Sequence, residues 1–270
     1  MPKLSYNVLS NAKTLLADDI EAVARAGIPG MTIHTSKVDE QNVGPLKRQL
    51  RDAGVEVASY ASGGRFLIPG RREYYIEETK RRIEVCADLG AGCLVLVTGG
   101  PRASLDWHEA ERNFLSALDE VLPVAEAHNL PLGVEPVTHI AQQISYLHAL
   151  DEGVELVRKV NSPYLGLVVD VWYHWWQRNF MDQVRLAGDK MLIVQIADQK
   201  PDGMSMQGRT ILGRGVLPLE EIVSAIDDTG YDGYYDAEIF NDTLTEAELD
   251  ELIPSSKSFF DRLWGALPPK

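Results

Sequence analysis

Short apolar runs rich in β-branched residues recur along the chain, separated by longer amphipathic stretches. The runs occupy residues 4–9, 30–34, 55–60, 93–98, 132–136, 165–170, 192–198 and 234–240. Several are continuous and not alternating, such as Leu94-Val95-Leu96-Val97 and Leu167-Val168-Val169. Continuous apolar runs suit parallel strands covered on both faces. Between them the spacing predicts helices over 17–26, 43–53, 73–89, 107–128, 152–160, 182–187 and 219–229. Gly27, Gly54 and Gly90 directly follow the first three, where a left-handed residue commonly ends a helix. Pro123 predicts a kink or break in the fourth, because proline lacks the N–H that the helix needs. Strand followed by helix, eight times over, predicts an α/β fold, a single (β/α)8 TIM barrel. A doubly wound open sheet would usually carry a glycine-rich loop after the first strand, and Ser10-Asn11-Ala12-Lys13 is not one.

Length agrees with this pattern. Spread over eight units, 270 residues give about 34 each, room for one strand, one helix and two loops. One barrel domain is therefore expected over residues 1–270. Residues 241–270 form a C-terminal helical extension, whose Phe259, Phe260, Leu263 and Trp264 should pack on the barrel ahead of Pro268-Pro269. Cys86 and Cys93 read as small core residues and not as a disulfide framework. No run approaches the ~18 apolar residues of a membrane span. The first nine residues lack a secretory signature, so a cytoplasmic protein is expected.

The charge balance narrows the partners. Twenty-six Lys and Arg against forty Asp and Glu give 26 − 40 = −14. That excess disfavours nucleic acid, whose binding depends on neutralised phosphates, and disfavours an anionic membrane surface. It leaves a small-molecule ligand, anionic or neutral, because local charge can differ from the total.

Candidate chemistry lies where barrels place it, at the C-terminal strand ends. Four successive runs end in Gly133-Val134-Glu135-Pro136, Val168-Val169-Asp170, Val194-Gln195-Ile196-Ala197-Asp198 and Asp236-Ala237-Glu238-Ile239-Phe240. A carboxylate in an apolar strand is costly unless paired, hydrogen-bonded or metal-bound. Three carboxylates and one amide oxygen converging on one point make a hard oxygen site, suited to Mn²⁺ or Mg²⁺. The alternative is that each acid separately pairs with an arginine or caps a helix.

This series, with a Gly-Xaa-Gly turn at Gly213-Arg214-Gly215, resembles the xylose isomerase-like superfamily of TIM-barrel sugar (phosphate) isomerases and epimerases. The resemblance runs from about Ala58 to Asn241 and is strongest from Gly133 onward. It implies one divalent metal held by Glu135, Asp170, Gln195 and Glu238, with Mn²⁺ favoured and Mg²⁺ or Co²⁺ as the other candidates. The Gln-Ile-Ala-Asp form is similar to hydroxypyruvate isomerases, in which Gln takes the ligand place. It implies an isomerase or epimerase of a small keto sugar or related hydroxy-carbonyl compound. Catalysis would pass through a metal-stabilised enediolate, with Glu135 and Glu238 as acid and base. A dehydratase or lyase acting on an oxidised sugar would use the same enolate chemistry, and a non-catalytic sugar-binding barrel would need none. A multi-zinc nuclease is disfavoured by six histidines and the −14 charge. A metal-free glycosidase would need only two flanking carboxylates.

Relatives of this kind often place a substrate-binding His three residues after the Asp. Here Tyr173 stands there and His174 one further on, so either is a candidate substrate contact. Trp172, with Trp175 and Trp176, could floor a sugar face, form a lid or meet a subunit. His139 is displaced by one from the place held by Thr138, and is a further candidate. Arg209, ahead of the Gly-Xaa-Gly turn, could bind two substrate oxygens at once. Asp198 could support a neighbouring ligand or Arg209. On earlier strands, His34 is a rim residue, and Arg65 and Arg102 are candidate anchors for a carboxylate or phosphate. Barrels of this type are often dimers or tetramers, so the resemblance is compatible with a homo-oligomer.

Overall fold

Parallel pairing carries the sheet right round to its first strand. A computed structural model describes residues 3–100, 106–202 and 205–266; Arg102 and Pro268-Pro269 lie outside them. Eight strands form a closed barrel: β1 (Lys3–Asn7), β2 (Gly30–His34), β3 (Glu56–Gly64), β4 (Leu94–Val97), β5 (Leu132–Val134), β6 (Leu165–Asp170), β7 (Met191–Ile196) and β10 (Tyr234–Ala237). Between β7 and β10, β8 (Asp198–Gln199) and β9 (Arg209–Thr210) pair as a short antiparallel ribbon. Every residue of β4 and β6 is buried, as expected for strands with a packed interior on one side and helices on the other.

The helices are α1 (Leu16–Arg25), α2 (Gly44–Ala53), α3 (Arg72–Leu89), α4 (Trp107–Ala127), α5 (Leu150–Val160), the single turn α6 (Val171–His174), α7 (Phe180–Ala187), α8 (Leu219–Asp227) and α9 (Glu246–Ala266). Gly54 and Gly90 end α2 and α3 in the left-handed conformation, with φ of 67° and 71°. Pro123 does not break α4, which runs through it. Buried Ala117, Leu118, Val121 and Ala125 hold the helix to the core on both sides of the proline. Cys86 and Cys93 are both free and buried. Cys93 belongs to a cluster with Ala58, Ala61, Val95, Val168 and Ile193.

Several strand ends shift by one or two residues from the sequence expectation, and two shift further. β3 extends to Gly64, because β4 offers pairing partners to Gly63 and Gly64 at Leu96 and Val97. The last strand stops at Ala237, so Glu238 to Phe240 leave the sheet. Among the described residues, no helix is long and apolar enough to cross a membrane.

The C-terminal helix seals the seam where β1 meets β10. Phe260 is fully buried; its ring lies 5.6 Å from Tyr235 of β10 and 4.7 Å from Trp264. Phe260→Ala should therefore destabilise the fold by about 3–5 kcal/mol, read as a lower urea midpoint at unchanged slope. A loss below about 1 kcal/mol would show that the helix is peripheral to the core.

Candidate metal centre

Four strand ends deliver the acid group. Asp170 is the last residue of β6 and pairs in register with Gln195 on β7. Glu135 and Glu238 stand one residue beyond β5 and β10. The ladder still fixes them: Glu135 N donates to Leu96 O at 3.0 Å, and Glu238 N donates to Ile196 O at 3.0 Å. One carboxylate oxygen from each of Glu135, Asp170 and Glu238 lies within 4.8 Å of the others, and all three residues are buried. Gln195 lines the same cavity as Glu135 and Glu238, and its buried Oε1 has no hydrogen-bond partner. An orphaned buried carbonyl oxygen costs roughly 1–3 kcal/mol. Three carboxylates and this bare oxygen are the hard donor set that a divalent cation takes. The residues present fit such an ion.

Arg209 on β9 is the chain's own counter-charge. Its guanidinium donates to Asp170 Oδ2 at 2.5 Å, to Glu238 Oε2 at 3.0 Å and to Glu238 O at 2.8 Å. It stacks over Trp172 at 4.7 Å and Tyr173 at 4.8 Å. Three carboxylates against one guanidinium leave two negative charges uncompensated when all are ionised. Burial, with the like charges of Glu238 and Asp170, accordingly pushes Glu135 well above the usual carboxylate range. Burial raises Glu238 to about 7 against the opposing pull of Arg209.

A second layer holds these groups. Asn7 Nδ2 donates to Glu238 Oε1 at 3.1 Å and to Asp236 Oδ2 at 2.9 Å, and Ser5 Oγ donates to Asp236 Oδ1 at 2.6 Å. Sequence reasoning missed Ser5 and Asn7, although two polar residues at alternate positions of an apolar strand were the available signal. Asn241 Nδ2 donates to the carbonyls of Arg209 and Gln207. Among the described residues Asp198 makes no hydrogen bond to Arg209 or to a candidate metal ligand, where direct support of one of them was expected. Its carboxylate accepts from the amides of Gln199, Gly213, Gly215 and Leu217, and so fixes the Gly-Arg-Gly turn. Arg214 in that turn pairs with Glu251 at the surface.

The expected substrate contacts separate. Asp170 Oδ1 caps α6, accepting from Trp172 N at 2.8 Å and Tyr173 N at 3.4 Å. This turn sends Tyr173 to the cavity lining and His174 away from it. His174 is fully buried, its Nε2 2.9 Å from Pro136 O and its Nδ1 2.8 Å from Gln177 Nε2. Both ring nitrogens are engaged, so His174 clamps α6 to the loop after β5 and does not reach the cavity. His139 is exposed and packs edge-on against Trp176. The three tryptophans do not floor the cavity: Trp172 backs Arg209, Trp176 is exposed, and Trp175 lines a separate groove. The cavity, about 340 Å³, is completed by His34, Ser62, Arg65, Gln143 and Met206. Burial, with the positive charges of Arg65, Arg82 and Lys37, pushes His34 down to about 4.

The buried clamp has a pH signature. Burial lowers His174 to about 4 from 6.5. Between those values the unfolded chain binds a proton that the folded chain does not, so stability falls as pH drops. Glu238, with its raised value, acts in the opposite direction, so the difference between wild type and a His174→Asn variant isolates the clamp. From pH 7 to 4.5 the wild type should lose about 2–3 kcal/mol more than the variant, measured by urea unfolding. Parallel pH profiles would remove His174 from this role.

Comparison with known proteins agrees with this fold. The family described as "Xylose isomerase-like TIM barrel" matches residues 20–263. The chain is similar to inosose isomerase from Bacillus subtilis (strain 168), 25% identical over 186 residues, covering 67% of this chain and 66% of that protein. It is similar to 3-dehydroshikimate dehydratase from Pseudomonas putida KT2440, 25% identical over 242 residues, covering 86% of this chain and 37% of that protein. The chain thus spans about two thirds or less of the length of these curated relatives. A solved structure of IolI protein with a bound zinc atom shares the fold at a TM-score of 0.86 and 21% identity, covering 97% of each chain. With a family match that runs from α1 to α9 over a closed parallel barrel, the chain belongs to the xylose isomerase-like TIM barrel family.

Proposed function

We propose that the protein is a divalent-metal-dependent isomerase or epimerase of a small keto sugar or related hydroxy-carbonyl compound. The observation that carries this reading is the convergence of Glu135, Asp170 and Glu238 within 4.8 Å beside the bare Gln195 Oε1. These four residues would hold the ion, with Mn²⁺ favoured over Mg²⁺ or Co²⁺. The zinc atom bound in IolI supports a divalent ion in this fold. When bound, the ion supplies Lewis-acid polarisation of a carbonyl, which acidifies the neighbouring C–H.

The proton work falls to the two glutamates. β6 and β7 separate their strands in the ring, so Glu135 and Glu238 approach the cavity floor from different sides. Glu238 is held at both oxygens, by Asn7 and by Arg209. Among the described residues no hydrogen bond restrains the Glu135 carboxyl, which would make it the freer proton acceptor at its Oε atoms once a cation offset the like charges that raise it. Tyr173, kept protonated by burial, donates from the wall to a substrate oxygen. Return of the proton to the same face of the neighbouring carbon gives isomerisation. Delivery of a proton by the other glutamate to the opposite face of the carbon that lost it gives epimerisation. The dehydratase relative favours one further reading, in which the same proton removal is followed by loss of a β-hydroxyl.

Solvent deuterium incorporation into a panel of keto sugars and hydroxypyruvate tests enolisation whatever the product. Exchange should occur, disappear in EDTA and return with Mn²⁺. Glu238→Gln should lower it at least ~10²-fold while circular dichroism stays unchanged. Loss of 18 mass units from a substrate would select the dehydratase reading. No exchange with any compound, together with no bound metal after purification, would sink the proposal.

A further inference from the structure

The barrel order sets a second wall against the acids. Around the ring, β3 stands four strands from β7 in either direction, and β2 stands four strands from β6. Arg65, which follows β3, therefore sits across the mouth from Gln195. His34, at the end of β2, sits across from Asp170. All but Asp170 line the one cavity.

Arg65 is unusual in backbone and in charge. Its φ is 64°, a left-handed conformation that costs a residue with a Cβ roughly 1–2 kcal/mol. Neighbouring packing imposes it. Arg65 N donates to Val97 O at 2.6 Å. A Cβ on Gly64 would lie 2.2 Å from Val97 O, and one on Gly99 would lie 3.0 Å from Arg65 Cα. Glycine would serve at position 65 without strain, yet the chain carries a guanidinium there, at the cavity lining.

That guanidinium has no acid. Among the described residues its hydrogen bonding is a 3.5 Å contact with Ser62 Oγ. The residues outside the described ranges include no Asp or Glu. Its cationic neighbours differ: Lys37 pairs with Asp19 at 2.7 Å, and Arg82 pairs with Glu40 and Glu78 at 3.0 Å each. The field of this wall reaches the cavity, since the same three cations help to hold His34 neutral.

We propose that the substrate is an acid: its chelating oxygens face Glu135, Asp170, Gln195 and Glu238, and its carboxylate or phosphate is bound across the mouth by Arg65, with Ser62 and Gln143 beside it. This rests on the metal-dependent reading of the same cavity and narrows its substrate class. A guanidinium binds two oxygens of either anion, so the charge is specified by the structure and the identity of the group by experiment. An unpaired arginine also resolves a conflict in the overall charge. A chain of net charge −14 repels small anions at long range, and this wall supplies the local attraction.

Titration calorimetry of the full-length protein, with and without Mn²⁺, tests the proposal with three probes that share a hydroxyketone: hydroxypyruvate (carboxylate), dihydroxyacetone phosphate (phosphate) and dihydroxyacetone (neutral). At least one anion should bind about 30-fold more tightly than the neutral probe, the effect of one bidentate charge-assisted contact. Arg65→Gly suits the left-handed backbone, and should collapse that ratio to within about 3-fold. Arg65→Lys should restore part of it. The tighter anion names the group. Equal affinity for all three probes, no binding by any of them, or a ratio that survives Arg65→Gly would overturn the inference. Because the readout is binding, a charge-dependent ratio without deuterium exchange would fail the enzymatic reading and leave the acid site standing.

Discussion

Everything at the mouth of this barrel depends on holding three carboxylates within 4.8 Å of one another and out of water. Charges so placed repel, and burial makes each ionisation costlier. Arg209 removes part of the conflict by bridging Asp170 and Glu238. The bridge must itself be held, because a free arginine would escape to solvent. The Trp172 and Tyr173 faces stack beneath it, Asn241 grips its carbonyl, and Asp198 ties down the turn that follows its strand. Much of the polar structure between β7 and β10 is explained as support for one guanidinium.

The support continues beneath the acids. Ser5 and Asn7 point from β1 to Asp236 on the neighbouring strand and Glu238 one residue beyond it. Closure of the barrel is thus also a condition for the site, since β1 meets β10 only when the ring is complete. Phe260 and Trp264, packed outside that seam against Tyr235, stabilise the junction that positions Glu238. Fold stability and acid geometry are linked through the same pair of strands.

How much of this was legible in the sequence follows from the range of each interaction. β2 and β6 match their apolar runs end for end, because continuous burial leaves a local hydrophobic record. Glu135, Asp170, Gln195 and Glu238 were legible for the same reason: each interrupts or ends such a run. β3 beyond Tyr60 was not, since Ala61-Ser62-Gly63-Gly64 reads as loop until β4 supplies partners. The role of Asp198 and the ion pairs of Arg209 were not legible because they depend on partners 15 to 39 residues away, in a ribbon too short to show periodicity. The His174 expectation failed on a turn of four residues, α6, which carries no amphipathic signal.

That short turn has a chemical consequence. Successive residues in a helix are rotated by about 100°, so a histidine one place late cannot slide into the position of its neighbour. Capping by Asp170 fixes the phase of the turn, and the residue three after it faces the cavity. Here that residue is Tyr173, whose phenol burial holds well above its usual range. An imidazole there could exchange a proton near neutral pH; this phenol keeps its proton and offers hydrogen bonds only. His174, with both nitrogens engaged, cannot substitute, and His34 stays neutral under the field of Arg65 and its neighbours. Among the described residues that line the cavity, the groups left to exchange a proton are the carboxyls of Glu135 and Glu238, held by non-adjacent strands.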